Sequence, residues 1–438
     1  MNLGYDDVIE RLIATVETHP IATTLTEVVV VRDLHGRVRL VVRGSERADD
    51  REDLDKTLKA ELGGWYGGAL LSTSTSVEKS LAQHVLDIAK EWPSYWKSDY
   101  DDGTGTGNRR PIDLKKWKHI QRVLAKEGWL VSQKSPPPWP LMSQNPTIVV
   151  FYSFKGGVGR STALGIIAWR LAQPQPDEPA KRVVVVDLDL EAPGLDGLFG
   201  LDRNAIERGV IDWLLEVAVG EKPKLQGVVG GPGYIQGCQI YGSDIIVVPV
   251  GKTLNTSYLE KLARLDFHGS TNDKTSPVEK GLELLLKTIK SELKPDYILL
   301  DSRAGFHDIG GLSLTSLAHI DVLVARHTAA TEPGLRLTIE MLERCRSTTD
   351  QLLVVAQAFA TPLGPGNTET NDRKQFRELV ESLLPQDAPV PVCLQENSDI
   401  ARGFGLADIP EATLATAPGY DDLLGRIESL ARPTGGGE

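Results

Sequence analysis

Apolar residues in the longer, C-terminal part of the chain fall in short continuous runs. These runs are rich in Val, Ile and Leu and too short for helices, and they lie at 147–152, 182–189, 244–250, 295–301, 320–327 and 351–359. A continuous apolar run is what a parallel strand buried on both faces requires. The intervening segments have helical spacing, as at 161–171, 279–293 and 420–431. The alternation predicts an α/β fold, a doubly wound and mainly parallel sheet with right-handed crossovers.

Residues 1–134 follow a different pattern, which predicts a smaller α+β domain. Two strands are expected within 26–43, on either side of a turn at His35 and Gly36. Helices are predicted at 6–16, 46–62 and 76–92. Six of the eight tryptophans lie before residue 140. We expect them to build a core for this domain rather than an aromatic contact face.

A cationic stretch at 109–122 has two interpretations. With Trp117 among its cations, it could bind phosphate backbones or an acidic partner. Alternatively it is a helix that packs Ile120, Val123 and Leu124 inward and leaves its lysines in water, and this is the interpretation we favour. Charge alone does not decide between the two.

A proline-rich segment separates the two parts of the chain. We predict that residues 135–146 form an extended linker between a domain at 1–134 and a second domain at 147–431. Residues 432–438 are glycine-rich and predict a flexible tail. These 438 residues, 41% hydrophobic and 25% charged, suit two soluble domains.

The charge and the termini limit the classes of function. A formal net charge of −12 disfavours a surface that binds nucleic acid throughout. The acidic N-terminus does not resemble a signal peptide, and no apolar run approaches the roughly 18 residues that span a bilayer, so a cytoplasmic protein is expected. The three cysteines are far apart and indicate neither a zinc site nor a disulfide framework.

The stretch after the first apolar run, 153–162, predicts a phosphate-binding loop. Three glycines within four residues let successive backbone N–H groups surround an anion without Cβ clashes. A helix that begins at Ser161 would add the partial positive charge of its N-terminus. The loop departs twice from the pattern G-x-x-x-x-G-K-[ST], with Phe154 at the first glycine and Arg160 at the lysine.

Carboxylates end two of the other predicted strands. Asp187 and Asp189 follow a valine run, and Asp301 follows the run that begins at Pro295. Because the carboxyl ends of strands in open α/β sheets face the ligand crevice, we expect Asp187 and Asp189 to meet the phosphates of a nucleotide rather than merely to cap the next element. An aspartate after an apolar strand is also typical of a residue that holds waters on Mg²⁺.

Together these residues resemble a known family. Lys155-Gly-Gly-Val-Gly-Arg-Ser161 resembles the deviant Walker A motif, KGGVGK[ST], of the MinD/ParA ATPases, in its arginine-bearing KGGVGR variant. The stretch 187–200 resembles the second motif of MinD-like proteins, and Asp301 opens a D-[ST]-x-x-G motif whose loop senses the γ-phosphate in that family. Arg303 stands where proline is usual there; it could contact phosphate, contact a partner or lie in solvent.

The resemblance implies a role for each matching residue. Ser161 and Asp301 would bind Mg²⁺, and Asp189 would orient the attacking water. Lys155, the family's signature lysine, would reach across a dimer interface to the partner's phosphate. The phosphates of ATP would be held by Gly156, Gly157, Val158, Gly159, Arg160, Ser161 and Thr162, and the adenine by Gln395, Glu396 and Asn397.

The implied function is that of a slow ATPase that forms an ATP-dependent homodimer and controls an effector through residues 1–134. The KGGVGR subgroup is associated with bacterial conflict and antiviral defence systems, which makes such a setting the expected one by resemblance. The alternative is an ATP-binding scaffold or sensor that barely hydrolyses, because arginine does not replace lysine conservatively at a phosphate site. The C-terminal helix carries both charge signs, unlike MinD's membrane anchor, so no membrane anchor is expected.

Overall fold

The computed structural model describes most of the chain. The described residues are 7–33, 36–44, 47–68, 70–73, 79–91, 116–121, 129–130, 136–175, 179–227, 233–253, 256–268, 275–345, 352–385 and 389–432. The chain divides into two compact units, Met1–Leu124 and Ala125–Glu438. In the described part, no helix is long and apolar enough to cross a membrane.

The first unit is built on a four-stranded mixed sheet. Its strands are β1 (Glu27–Arg32), β2 (Val38–Arg43), β3 (Leu71–Ser72) and β4 (Trp117–Gln121), in the order β3-β2-β1-β4. Its described helices are Val8–Thr18, Ala48–Leu62 and Lys79–Glu91. β1 and β2 form the predicted antiparallel hairpin, with Val30 opposite Leu40.

Helices cover both faces of this sheet, which explains its continuous valine run. Val28 and Val30 pack with the helices Val8–Thr18 and Ala48–Leu62, while Val29 between them faces the helix Lys79–Glu91. Successive side chains of a strand point to opposite faces, so a strand covered on both faces must be apolar throughout. All three valines are fully buried.

The helix expected around Ile120 is wrong, because residues 117–121 form strand β4. β4 pairs in parallel with β1, with Trp117 opposite Val28 and Ile120 opposite Val31. The lysines beside it are not left in water: Lys116 lies 3.3 Å from Glu17 and Lys118 pairs with Glu27. In a segment of five residues, the spacing of apolar positions does not distinguish a helix from a strand. The hydrogen bonds with strand β1 therefore decide the local structure here.

The second unit contains an eight-stranded sheet. Its strands are β5 (Thr147–Tyr152), β6 (Val183–Leu188), β7 (Gln236–Ile240), β8 (Ser243–Val248), β9 (Tyr297–Ser302), β10 (Ile320–Arg326), β11 (Leu353–Ala360) and β12 (Val392–Gln395). They lie in the order β12-β11-β10-β5-β9-β6-β8-β7. All neighbours are parallel except β7 and β8. The predicted doubly wound, mainly parallel α/β fold is confirmed.

Helices lie on both faces of this sheet as well. Ile148 and Val150 of β5 belong to one core, which includes residues of the helices Val210–Ala218, Pro277–Leu293 and Glu332–Cys345. Val149 and Phe151 belong to the other core, with the helices Arg160–Leu171 and Tyr420–Ala431. The remaining described α-helices are Leu195–Leu198, Thr256–Leu262, Asp308–Leu312, Asn371–Glu381, Ser398–Arg402 and Glu411–Thr416.

The division between the units falls at Leu124, earlier than the sequence places it. Trp129 and Trp139, assigned by sequence to the first domain and the linker, are buried in a core of the second unit. Trp139 donates from Nε1 to the carbonyl of Pro146 at 2.8 Å, and its own carbonyl lies 2.8 Å from Nε2 of His319. The described part of the proline-rich segment is therefore packed onto the second unit.

Candidate functional site

The glycine-rich loop joins β5 to the helix Arg160–Leu171. Gly157 and Gly159 have φ angles of 71° and 81°, a left-handed conformation that favours glycine. The ring of Phe154, at the start of the loop, packs directly against the backbone of Gly334. The contact is so close that a Cβ on Gly334 would lie 1.9 Å from the ring. The helix that follows, Arg160–Leu171, has 12 residues. The N–H groups of its first turn have no partner within the helix, and they lie at the end of the loop. The loop therefore has the left-handed glycines and the helix N-terminus on which the prediction of anion binding rests.

Arg160, the first residue of that helix, reaches the carboxylates of two other strands. Its Nε donates to Oδ1 of Asp301 at 2.7 Å, and its Nη2 donates to Oδ2 of Asp189 at 3.0 Å. The arginine side chain is 9% exposed, and the side chains of Asp301 and Asp189 are 2% and 10% exposed. Three separate stretches of sequence therefore meet at one buried guanidinium.

Ser161 belongs to the same cluster. Its Oγ donates to Oδ2 of Asp301 at 2.6 Å and lies 3.2 Å from Nη2 of Arg160. β5 and β9 are neighbours in the sheet, with Phe151 opposite Asp301, so the loop after β5 and the end of β9 lie at one edge. This adjacency brings the serine and the aspartate together.

A second arginine holds the other side of Asp189. Nη1 of Arg303 lies 3.3 Å from Oδ1 of Asp189, and its Nη2 lies 3.0 Å from Oε2 of Glu191. Oε1 of Glu191 lies 2.5 Å from Nε2 of His307. Sequence reasoning left Arg303 open and missed Glu191 and His307, because no motif spacing joins these positions.

Asp187 does not face the phosphate loop with Asp189 as expected. Its Oδ1 accepts the backbone N–H of Asp189 at 3.0 Å, and its Oδ2 accepts those of Gly194 at 3.4 Å and Leu195 at 3.2 Å. The side chain is buried and shapes the turn after β6. An aspartate that ends a strand can satisfy backbone donors instead of a ligand, and sequence alone does not separate the two uses.

Burial sets the electrostatics of the cluster. Burial raises the pKa of Asp187 well above its ordinary value, and the negative charge of Asp301 adds to this effect. Burial also raises the pKa of Asp301, against the opposing effects of Arg160 and Ser161. For Arg160, burial alone would lower the pKa, but the two aspartates outweigh it and the pKa is raised, so the guanidinium stays charged.

The donor chemistry of Ser161 and Asp301 fits Mg²⁺. The cation prefers hard oxygen ligands, and it is commonly held by one or two protein groups together with substrate phosphates. The serine and aspartate oxygens, 2.6 Å apart, supply such a pair. Within the described residues, no group of three or more acidic, histidine or cysteine side chains forms a metal site of its own.

Other expected site residues lie outside the cluster. Lys155 is exposed, with its Nζ 5.2 Å from the centre of the Phe154 ring. Thr162 is half-buried in the first turn of its helix. Asn397 accepts the N–H groups of Asp399 at 2.9 Å and Ile400 at 3.2 Å, so it caps the short helix Ser398–Arg402.

The segment Gln395–Asn397 is tied to the end of β11. The N–H of Glu396 donates to the carbonyl of Ala360 at 3.3 Å. The preceding Phe359 has a left-handed φ of 54°, and its ring lies 3.9 Å from where a Cβ of Gly159 would be. Phe359 therefore lies between the glycine loop and the segment expected to contact adenine, a position that sequence reasoning missed.

A strand, a glycine-rich loop and a helix in a mainly parallel sheet define the P-loop class of fold. The chain is similar to the septum site-determining protein MinD of Escherichia coli K12, with 24% identity over 284 residues that cover 61% of this chain and 90% of MinD. No family model matches the chain.

Two solved structures are also similar. The cell division ATPase MinD of Pyrococcus furiosus aligns with a TM-score of 0.44 and 18% identity, over 66% of this chain and 100% of that chain. A putative plasmid partition protein of Borrelia burgdorferi, bound to AMPPNP, aligns with a TM-score of 0.45 and 15% identity, over 65% of this chain and 99% of that chain. The similarity to MinD confirms the resemblance that the motifs predicted.

Proposed function

We propose that the second unit binds ATP with Mg²⁺, hydrolyses it slowly, and changes its self-association with the bound nucleotide. The observation that carries this proposal is the convergence of three motifs on one guanidinium. Arg160 of the glycine loop lies 2.7 Å from Asp301 and 3.0 Å from Asp189. Such a cluster beside a loop of free amides suits a site for a triphosphate and its cation.

The loop would hold the phosphates. Backbone N–H groups from Gly156 to Arg160 would bind the β- and γ-phosphates, and Thr162 would bind the α-phosphate. Gly157 and Gly159 supply the left-handed conformations that let neighbouring amides face one anion. Segment 395–397 would contact the adenine.

The acidic residues would have separate tasks. Ser161 and Asp301 would hold Mg²⁺, whose charge would offset that of the phosphates. Asp189 would orient the attacking water. Both of its oxygens are bonded to arginines, at 3.0 Å and 3.3 Å. Hydrolysis therefore requires these arginines to exchange the carboxylate for phosphate.

Lys155 would act across a homodimer. Its side chain is exposed at the start of the loop and takes part in no ion pair among the described residues. A cation there would neutralise charge that develops on the partner's phosphate. The first unit would recruit or control a protein effector, and the resemblance to the KGGVGR subgroup makes a bacterial defence system the setting to test first.

Light scattering tests the association. The purified chain should double in mass with AMPPNP and Mg²⁺, and Lys155→Ala should remain monomeric while still binding the nucleotide. Lys374→Ala, which removes an exposed helix lysine, serves as the control and should behave like wild type. An unchanged mass for wild type with nucleotide bound would overturn the switch.

The double pairing of Asp189 favours a second candidate function, an ATP-binding scaffold that barely hydrolyses. Steady-state phosphate release separates the two candidates. A wild-type rate that Asp189→Ala abolishes and Arg160→Lys preserves or increases supports the ATPase. A rate at background in wild type, with nucleotide bound, supports the scaffold.

A further inference from the structure

Arg303 occupies an unusual position for a loop residue. It follows β9 directly after Ser302, and its guanidinium contacts acids from the turn after β6, Asp189 at 3.3 Å and Glu191 at 3.0 Å. Its side chain is 25% exposed. Both contacts are charge-assisted. Among the described residues, the guanidinium of Arg303 makes no hydrogen bond to a backbone carbonyl. The arginine is thus held by two carboxylates at the open side of the cluster.

The loop that carries Arg303 is attached to the phosphate loop. The N–H of Gly305 donates to the carbonyl of Ser153 at 3.1 Å. The ring of Phe306 lies 5.2 Å from that of Phe154, centre to centre. These contacts keep Arg303 next to the glycine-rich loop, whose start is formed by the same two residues, Ser153 and Phe154.

Asp189 joins Arg303 to Arg160, because one guanidinium binds each of its oxygens. The two arginines beside the loop are each paired with carboxylates, Arg160 with Asp189 and Asp301, and Arg303 with Asp189 and Glu191. A phosphate group offers each of them more acceptor oxygens and more negative charge than a shared carboxylate does, and arginine binds phosphate in a bidentate manner. A terminal phosphate is therefore a strong competitor for the arginine.

We propose that Arg303 distinguishes nucleoside triphosphates from diphosphates at this site. With a triphosphate bound, Arg303 leaves Glu191 and Asp189 and binds the terminal phosphate, which also frees Asp189. Glu191 is the competing acceptor that holds the arginine when that phosphate is absent. This inference rests on the proposed nucleotide-binding function and adds the residue that selects the ligand.

Calorimetric titrations of the full chain with AMPPNP and with ADP, both with Mg²⁺, test the inference. Arg303→Ala should weaken AMPPNP binding by roughly 10- to 100-fold, the effect of losing a charge-assisted hydrogen-bonded contact, and change ADP binding by less than about threefold. Glu191→Gln should have the opposite sign and strengthen AMPPNP binding by about threefold or more, because it removes the competing carboxylate. Arg264→Ala, at an exposed arginine, is the matched control and should change neither affinity.

The two substitutions together separate recognition from folding. A merely structural role for the Arg303–Glu191 pair would weaken both ligands in both variants, and that result would overturn the inference. Equal losses of AMPPNP and ADP affinity in Arg303→Ala would overturn it too, while nucleotide binding itself would stand. If wild type binds neither nucleotide, the proposed function fails and this inference fails with it.

Discussion

The two sheets bury titratable groups of opposite kinds. In the first unit, β4 carries His119, and burial, reinforced by the charge of Arg32, lowers the pKa of this histidine to about 4. In the second unit, β6 carries Asp187 near its carboxyl end, and burial raises its pKa well above the ordinary value. Burial favours the neutral form of both groups, so acid removes the contribution of His119 to stability but not that of Asp187.

The position of the charged groups along the strands separates the two sheets further. His119 lies within a strand, opposite Val30 of the neighbouring strand. In the second unit, charged residues gather where parallel strands end, and Arg160 joins Asp189 and Asp301 there. Both sheets are built from similar valine-rich strands, so the pattern of apolar residues determines the sheet in each unit. The candidate site depends instead on the polar residues at the strand ends of the second unit.

Arg160→Ala should produce the largest effect, because it leaves two buried carboxylates without their shared cation. Breaking a buried ion pair by removing one partner costs about 3–5 kcal/mol, so the free energy of unfolding of the second unit should fall by this amount. Urea denaturation followed by circular dichroism measures it. Arg160→Lys, which keeps the charge, is the control and should lose less. A loss below about 1 kcal/mol in Arg160→Ala would mean that the cluster contributes little to stability.

Acid should weaken the first unit by a comparable amount. Histidine in the unfolded chain takes up a proton below its ordinary pKa of 6.5, whereas folded His119 stays neutral down to a pKa of about 4. Its contribution to stability is therefore present above pH 6.5 and is lost as the pH falls toward 4, by about 3 kcal/mol in total. Amide hydrogen exchange of β1 and β2 at several pH values measures the loss.

His119→Gln sharpens this comparison, because glutamine does not titrate. The variant should show a flatter dependence of first-unit stability on pH between 4 and 6.5, whatever its stability at neutral pH. Asp187 acts in the opposite direction in the second unit: its raised pKa favours folding at low pH and disfavours it as the pH rises. An unchanged dependence of first-unit stability on pH in His119→Gln would contradict the assignment.

Lys118→Met should have the smallest effect. It removes the ion pair with Glu27, whose side chain is 12% exposed and keeps Arg43 at 3.5 Å. We expect the first unit to lose about 0.5–1 kcal/mol, since partly exposed pairs contribute little. Lys56 pairs with Glu52, and the two side chains are 71% and 69% exposed. Lys56→Met should therefore lower the stability of the first unit by less still, in the same hydrogen-exchange measurement. A larger loss at Lys56 would reverse the order that burial predicts.

Sequence alone determined those features that depend on contiguous residues. The run 147–152 is β5 at the same bounds, and the closing helix is Tyr420–Ala431 as expected. The loop conformation follows from its glycines, and the order of strands and helices follows from apolar spacing. These local signals were enough to predict the fold class, and they also named Arg160, Ser161, Asp189 and Asp301, which the structure brings together.

Only the tertiary structure decided what distant residues do to one another. Residues 117–121 form a strand because they pair with the edge of β1, and Trp129 and Trp139 are buried in a core of the second unit, built from residues distant in sequence. Asp187 and Asp189 are two residues apart, yet one binds backbone amides and the other binds two arginines. Side-chain direction and long-range pairing set these outcomes, and neither is encoded in local spacing.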